Sequence, residues 1–362
     1  MSAHEILIAV MAVFAVLGAA DRILGNKFGL GKEFEDGILA MGSLALAMVG
    51  IIALAPVLAA LLKPVVVPVY RLLGADAAMF AGTILACDMG GAALAAELTQ
   101  DSQAALLGGV ICGSMLGATI VFTIPVAMGI LSEEDMPSLA KGILAGIVTI
   151  PAGIFVGGLV AGFPVGMILR NLIPIVLIAA VIALGLWKAE KAMIRGFSLF
   201  GKGVVALITI GLAAAIVEEL TGVSLIPGMA PVEDGFLTVG AIAIVLAGAF
   251  PLVYVLTKLL RKPLMRLGKS LGVNEVAAAG LVASLANSIA TFGMVKDMDE
   301  RGKVVNIAFA VSAAFVFGDH MGFTAGFAPE MLPAVIAGKL AGGICAVAVA
   351  LWMTRKEARR GA

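Results

Sequence analysis

Charge is scarce in this sequence. Only 13% of its 362 residues are Asp, Glu, Lys or Arg, about half the share of an ordinary soluble domain. Acidic and basic residues number 24 each, so no basic excess is available to hold a polyanion, and the short polar breaks leave no room for a nucleic-acid-binding domain. Histidine is rarer still. His4 and His320 are the whole complement, which removes histidine-based metal centres and makes most hydrolytic triads hard to build. The three cysteines, Cys87, Cys112 and Cys345, stand inside apolar stretches; an odd number without metal-ligand spacing argues against a disulfide framework or a zinc site. Each reads as a small packing residue. The expectation is a protein that is not an enzyme and uses no cofactor or metal.

What is abundant is apolar sequence: 61% of residues are hydrophobic and the mean hydropathy is +1.12, more than a soluble core absorbs. A helix needs about 20 mostly apolar residues to cross a bilayer, and such runs recur along the chain. They fall at Glu5 to Leu24, Gly37 to Leu62, Ala77 to Leu98, Ala104 to Leu131, Leu139 to Gly162 and Val165 to Trp187, then at Gly203 to Leu220, Leu237 to Leu259, Glu275 to Val295, Val304 to Phe327 and Leu332 to Met353. The first lacks a basic leader and ends in Asp21-Arg22, so it reads as a retained span. The predicted fold is an all-α polytopic membrane protein of about eleven membrane segments.

An internal repeat organises these segments. Glu35-Asp36-Gly37, with Gly42 and Gly50 after it, returns as Glu233-Asp234-Gly235 with Gly240 and Gly248; Lys63-Pro64 returns as Lys262-Pro263, and Leu144-Ala145-Gly146 as Leu340-Ala341-Gly342. The offsets stay within about 196 to 199 positions, too regular for shared composition. The division expected is a first membrane repeat at 1–162, a linking helix and basic loop at 163–195, a second repeat at 196–354 and a basic tail at 355–362. Basic clusters around Lys188, around Lys262 and in the tail belong on one side, the cytoplasm. They share a side only if segment nine, and by symmetry segment three, is broken or re-entrant, which gives two five-segment halves of inverted topology. Inverted repeats with interrupted helices are a transporter signature, the binding site lying near the midplane.

Polar residues inside these segments are the site candidates, since an intramembrane carboxylate must face a cavity or a partner. Asp88 stands in Leu85-Ala86-Cys87-Asp88-Met89-Gly90-Gly91, where the glycines suit a helix break; the alternative role is a structural cap. Asp319-His320, again flanked by glycines, can bind a cation or pass a proton, or simply satisfy a span end. In the repeat Asp88 matches the neighbourhood of Asn287, so one broken segment offers a carboxylate and the other an amide. Ser288 and Thr291 add neutral hydrogen-bonding groups, with helix packing an equal alternative. Phe80, Phe122, Phe292, Phe315, Phe317 and Phe323 lie nearby in sequence, and one or two of them suit an aromatic wall for an ammonium. Asp21 and Glu219 read as interfacial, and Glu35, Asp36, Glu233 and Asp234 as helix-start carboxylates.

Ala20-Asp21-Arg22-Ile23-Leu24, Phe34-Glu35-Asp36-Gly37, Leu85-Ala86-Cys87-Asp88-Met89-Gly90-Gly91, the run from Lys141 to Pro151, the run from Leu207 to Ala215, and Gly318-Asp319-His320 together resemble the bacterial ethanolamine permease family, end to end and in order. Where that family suggests Leu-Ala-Asn-Asn-Ile-Pro, this chain reads Leu285-Ala286-Asn287-Ser288-Ile289-Ala290. The resemblance implies a multi-pass permease of the bacterial inner membrane that admits ethanolamine, in contact with the lipid bilayer and able to self-associate. The substrate-binding set expected is Asp88, Asn287, Asp319, His320, Ser288, Thr291 and Phe292. The competing reading is a proton- or sodium-coupled carrier of another small cation or an amino acid, with a passive channel as a third.

Overall fold

The computed structural model describes residues 2–355, which are helical almost throughout and contain no strand. Lys356, Arg359 and Arg360 of the basic tail lie outside the described residues. The helices are α1 (Ala3–Ile23), α2 (Leu30–Leu72), α3 (Ala78–Ile84), α4 (Ala92–Leu98), α5 (Ser102–Ile130), α6 (Glu133–Val160) and α7 (Val165–Thr221). They continue as α8 (Val232–Ser270), α9 (Glu275–Ala286), α10 (Ser288–Met294), α11 (Glu300–Ala313), α12 (Asp319–Phe327) and α13 (Pro329–Met353). Among the described residues seven helices are long and apolar enough to cross a membrane: α1, α2, α5, α6, α7, α8 and α13.

α1 opens on a capping box in which Ser2 and Glu5 satisfy each other's backbone N–H groups, which fixes the helix start. Its end is set by Asp21, which the sequence suggested was interfacial. The carboxylate is instead buried and accepts hydrogen bonds from the backbone N–H of Phe28 at 3.0 Å and of Gly31 at 2.9 Å, tying the α1–α2 corner. Glu35 and Asp36 lie beyond the first turn of α2 and form ion pairs, with Arg22 at 3.2 Å and with Lys32 at 3.6 Å. Glu233 and Asp234 do stand in the first turn of α8.

α2 and α8 form the central pair. At 43 residues, α2 is about 65 Å long, twice the hydrocarbon thickness, and carries Pro56, Pro64 and Pro68. Close approach needs missing side chains: a Cβ on Gly37 would come within 2.5 Å of the Leu246 carbonyl and 2.6 Å of the Ala247 amide, and one on Gly235 within 2.9 Å of Val49. α7 packs on α2 through Gly211 and Gly50. The basic stretch between segments six and seven, read as a loop, is helical except at Ala189, where φ −143° and ψ 47° turn the chain and bring Met193 against Gly185.

Segments three, nine and ten are interrupted. Between α3 and α4 the chain runs extended through Leu85 and Ala86 and then turns through Cys87–Gly91, with Gly90 at φ +89°. Between α9 and α10 a single extended residue, Asn287, makes the break. Segment ten, read as one run from Val304 to Phe327, is two helices, α11 and α12, separated by Ala314 to Gly318. The last two breaks brace each other. Phe315 N–H donates to the Ser284 carbonyl at 3.1 Å and Phe317 N–H to the Leu285 carbonyl at 2.8 Å, so backbone groups freed by each interruption are satisfied by the other, as membrane depth requires.

Candidate functional site

Asp88 is the second residue of the Cys87–Gly91 turn, and that turn is built by backbone. Met89 and Gly91 N–H groups both donate to the Ala86 carbonyl, at 3.0 and 2.9 Å. Gly90 is required twice over: its φ is left-handed, and a Cβ there would strike the Ile51 side chain of α2. The turn thereby presents the Asp88 carboxylate to a cavity of about 540 Å³. Facing it across the cavity are Asp319 and His320, the first two residues of α12. His320 is buried, its Nε2 is 3.9 Å from Asp88 Oδ1, and its Nδ1 has no hydrogen-bond partner. That separation is too wide for a direct hydrogen bond.

The remaining walls are mostly apolar, with aromatic rings placed near the charges. Phe315 packs edge-on against Phe122 with centroids 5.5 Å apart, and its centroid is 5.2 Å from that of His320. Both phenylalanines line the cavity. Phe315 adopts φ +62°, a left-handed conformation that a bulky residue occupies only at a cost. Ser43 and Lys202 complete the polar lining. Carboxylates facing a mostly apolar, partly aromatic chamber can hold a small organic cation, exchanging its hydration for charge and π-face contacts.

A second cavity of about 280 Å³ lies on the other side of Asp319, lined by Glu33, Tyr254, Thr257, Asn287, Phe317 and Gly318 among others. Asp319 borders both chambers. Asn287, expected beside Asp88, belongs to this second chamber, and its side-chain oxygen accepts from the Ile289 N–H at 2.7 Å as the cap of α10. The three other residues expected at the site line neither chamber. Thr291 is buried and bonded to the Ser284 hydroxyl at 2.8 Å and the Gly280 carbonyl at 3.0 Å, Phe292 is wholly buried, and Ser288 is buried with an unpartnered hydroxyl. They lie on α10, past the break, and pack it inward.

Cys87 Sγ, a carboxylate oxygen of Asp88 and a ring nitrogen of His320 lie within 4.8 Å of one another, so the thiol read as packing is adjacent to the site. Sequence reading also passed over Lys339, wholly buried in α13 with Nζ 2.6 Å from the Ser114 carbonyl. A lone lysine inside the apolar run Leu332 to Met353 was the available signal.

Residues 3–353 match the family model described as ethanolamine utilisation protein, EutH. The chain is 61% identical over 360 residues to a protein of Listeria monocytogenes named probable ethanolamine permease EutH, covering 99% of this chain and 96% of that one. It is 54% identical to the uncharacterized protein YxeR of Bacillus subtilis, over 99% and 97% of the two chains. A Salmonella typhimurium protein, also named probable ethanolamine permease EutH, is 50% identical over 395 aligned positions, 99% of this chain and 97% of its own. No solved structure matches. With its long apolar helices the protein is a multi-pass component of the bacterial inner membrane, and the chain belongs to the EutH family of ethanolamine utilisation proteins.

Proposed function

We propose that this chain is a permease for ethanolamine, with the protonated amine held by Asp88 and the hydroxyl taken up by Asp319 or His320. The observation that carries this reading is the convergence of two carboxylates, an imidazole and two aromatic rings on one chamber of about 540 Å³. Ethanolamine at neutral pH is mostly a cation with one hydroxyl, so one carboxylate and one neutral or acidic hydrogen-bond partner suffice to recognise it. The gap between His320 and Asp88 is left for a guest atom to bridge. Asn287 in the second chamber offers a further hydroxyl partner, and Asp319, common to both, is the step between them. The names of the Listeria and Salmonella relatives support the same cargo.

The architecture proposed for this task is the eleven-segment inverted repeat, divided at 1–162, 163–195 and 196–354. Reciprocal packing supports it. Gly37 meets Ala247 while its repeat equivalent Gly235 meets Val49, the equivalent of Ala247; equivalent helices pack antiparallel in this way when a two-fold axis lies in the membrane plane. The breaks at Ala86 and Asn287 are then the tips of two re-entrant segments. The basic stretch around Lys188 and Lys202 and the Tyr254–Lys258 end of α8 face the cytoplasm, so both chambers open inward.

Uptake of labelled ethanolamine into proteoliposomes at mildly acidic pH tests the reading, with choline, serine and ammonium as competitors. Saturable, protein-dependent uptake that ethanolamine itself competes best is the expected result. Uptake no faster than into protein-free liposomes refutes it. Dependence on an imposed sodium or proton gradient would assign a coupled carrier.

A further inference from the structure

Lys339 is a buried cation that the transport reading leaves unused. It is 1% exposed in the middle of α13, and its ammonium donates to the Ser114 carbonyl at 2.6 Å; among the described residues no carboxylate lies within 4.0 Å of it. Ser114 belongs to a π-helical stretch, Leu106–Gly117, a backbone form associated with functional sites because it offsets the ladder of carbonyls. The preceding residue, Gly113, lies against the backbone of Cys87, so near that a Cβ on it would be 3.0 Å from the Cys87 amide. Cys87 leads directly into Asp88. Lys339 therefore stands one layer of backbone behind the site carboxylate, and its ammonium interacts electrostatically with Asp88, Cys87 and His320. Asp319 lines the same chamber as Asp88 and, being a second carboxylate, opposes its charge where Lys339 offsets it.

A charge at membrane depth is retained where another charge balances it. Counted formally, with two carboxylates, one ammonium and a neutral imidazole and thiol, the group Asp88, Asp319, His320, Cys87 and Lys339 sums to a single negative charge. Lys202 on the rim is exposed, where water and salt screen it. One monovalent cation neutralises the site completely; a dication leaves an excess charge in a low-dielectric chamber, and a neutral molecule leaves the deficit.

We propose that Lys339 is a specificity-determining residue that sets the valence of the cargo: by cancelling one of the two carboxylates it makes the site accept monocations and reject dications. This rests on the reading of Asp88 as the ammonium site. Removing the lysine charge should turn the site into one for a dication, or for a monocation accompanied by a proton.

The test compares uptake of labelled ethanolamine with that of labelled ethylenediamine, mostly a dication at mildly acidic pH, in proteoliposomes containing variants that remain monodisperse on size-exclusion chromatography. The wild type should strongly prefer ethanolamine. Lys339→Met should shift the ratio of the two rates at least about tenfold toward ethylenediamine, a change equivalent to one charge-assisted contact, and Lys339→Arg should hold the wild-type ratio. Asp319→Asn should weaken ethanolamine uptake, and adding Lys339→Met to it should restore both uptake and monocation preference, a rescue that a merely structural lysine does not give. If Lys339→Met does not fold, this double substitution alone decides. An unchanged ratio in Lys339→Met, or a folded double variant without rescue, overturns the proposal while leaving the Asp88 reading intact. A wild type that moves no ethanolamine, or an Asp88→Asn variant that moves it normally, removes the reading itself and the proposal with it.

Discussion

Phe315 carries two burdens: a left-handed backbone at φ +62° and a ring that closes the cavity between Phe122 and His320. Keeping both in a residue with no special tolerance for that conformation argues that the ring itself is needed there. Phe315→Leu should raise the KM for ethanolamine by about two- to thirtyfold with a smaller effect on the maximal rate, since a cation over an aromatic face gains about 0.5–2 kcal/mol; an unchanged KM in concentration-dependent uptake would show that the ring only packs. Asp88 and the Asp319-His320 pair stand out as candidates in the sequence because a lone carboxylate in an apolar run has few tolerable positions, and the fold brings them to one cavity. Lys339 was equally visible by that rule, but its place behind Asp88 depends on α13 packing against α5. The backbone angle of Phe315 carried no signal at all, since neither glycine nor asparagine marks the position. Ser288, Thr291 and Phe292 line neither chamber, since being near a break in sequence does not fix which way a short helix turns its side chains.

At the level of elements, the glycines explain how long helices approach closely enough to hold the interrupted segments in place. Gly37 of α2 lies on the backbone of α8, whereas nothing stands within 4 Å of a Cβ on Gly42. Gly37→Ala should therefore destabilise the protein by about 1–3 kcal/mol, the usual cost of overpacking, and Gly42→Ala should be neutral or slightly stabilising, as alanine favours helix. Thermal unfolding in detergent distinguishes them: equal midpoints would mean that the α2–α8 contact is not tight. The apolar cores of the segments were readable from hydropathy, though α2 and α8 run well past the expected ends; the break at Gly90 was readable from its glycines, and that in segment nine from the basic clusters and the repeat. The break in segment ten was not, because Ala314-Phe315-Val316-Phe317 is as apolar as any helix interior. What holds it open is tertiary, the pair of backbone hydrogen bonds to Ser284 and Leu285.

Taken whole, the proposed inverted repeat joins a duplicated frame to an unduplicated candidate site. Gly37 and Gly235 occupy matching contacts in the two halves, but Asp88 faces one chamber and Asn287 the other. Asymmetry of this kind came through in the sequence as a carboxylate opposite an amide; that the two residues occupy separate chambers did not, since it depends on how Asp319 partitions the space. The inverted arrangement puts the Glu134 turn and the Lys188 bend in the cytoplasm and the Gly162 turn outside. In a background without native cysteines, Ala161→Cys should react with an impermeant maleimide on intact cells, and Glu134→Cys and Lys188→Cys only after permeabilisation; the reverse pattern, or Ala161 and Glu134 on one side, would break the topology. At the centre of the account is the Asp88 carboxylate, presented by a turn whose geometry asparagine can share. Asp88→Asn should insert and fold like the wild type, checked by size-exclusion profile and unfolding midpoint, and should show no saturable ethanolamine uptake in proteoliposomes. Uptake at the wild-type rate by the folded Asp88→Asn protein would contradict the account at its core.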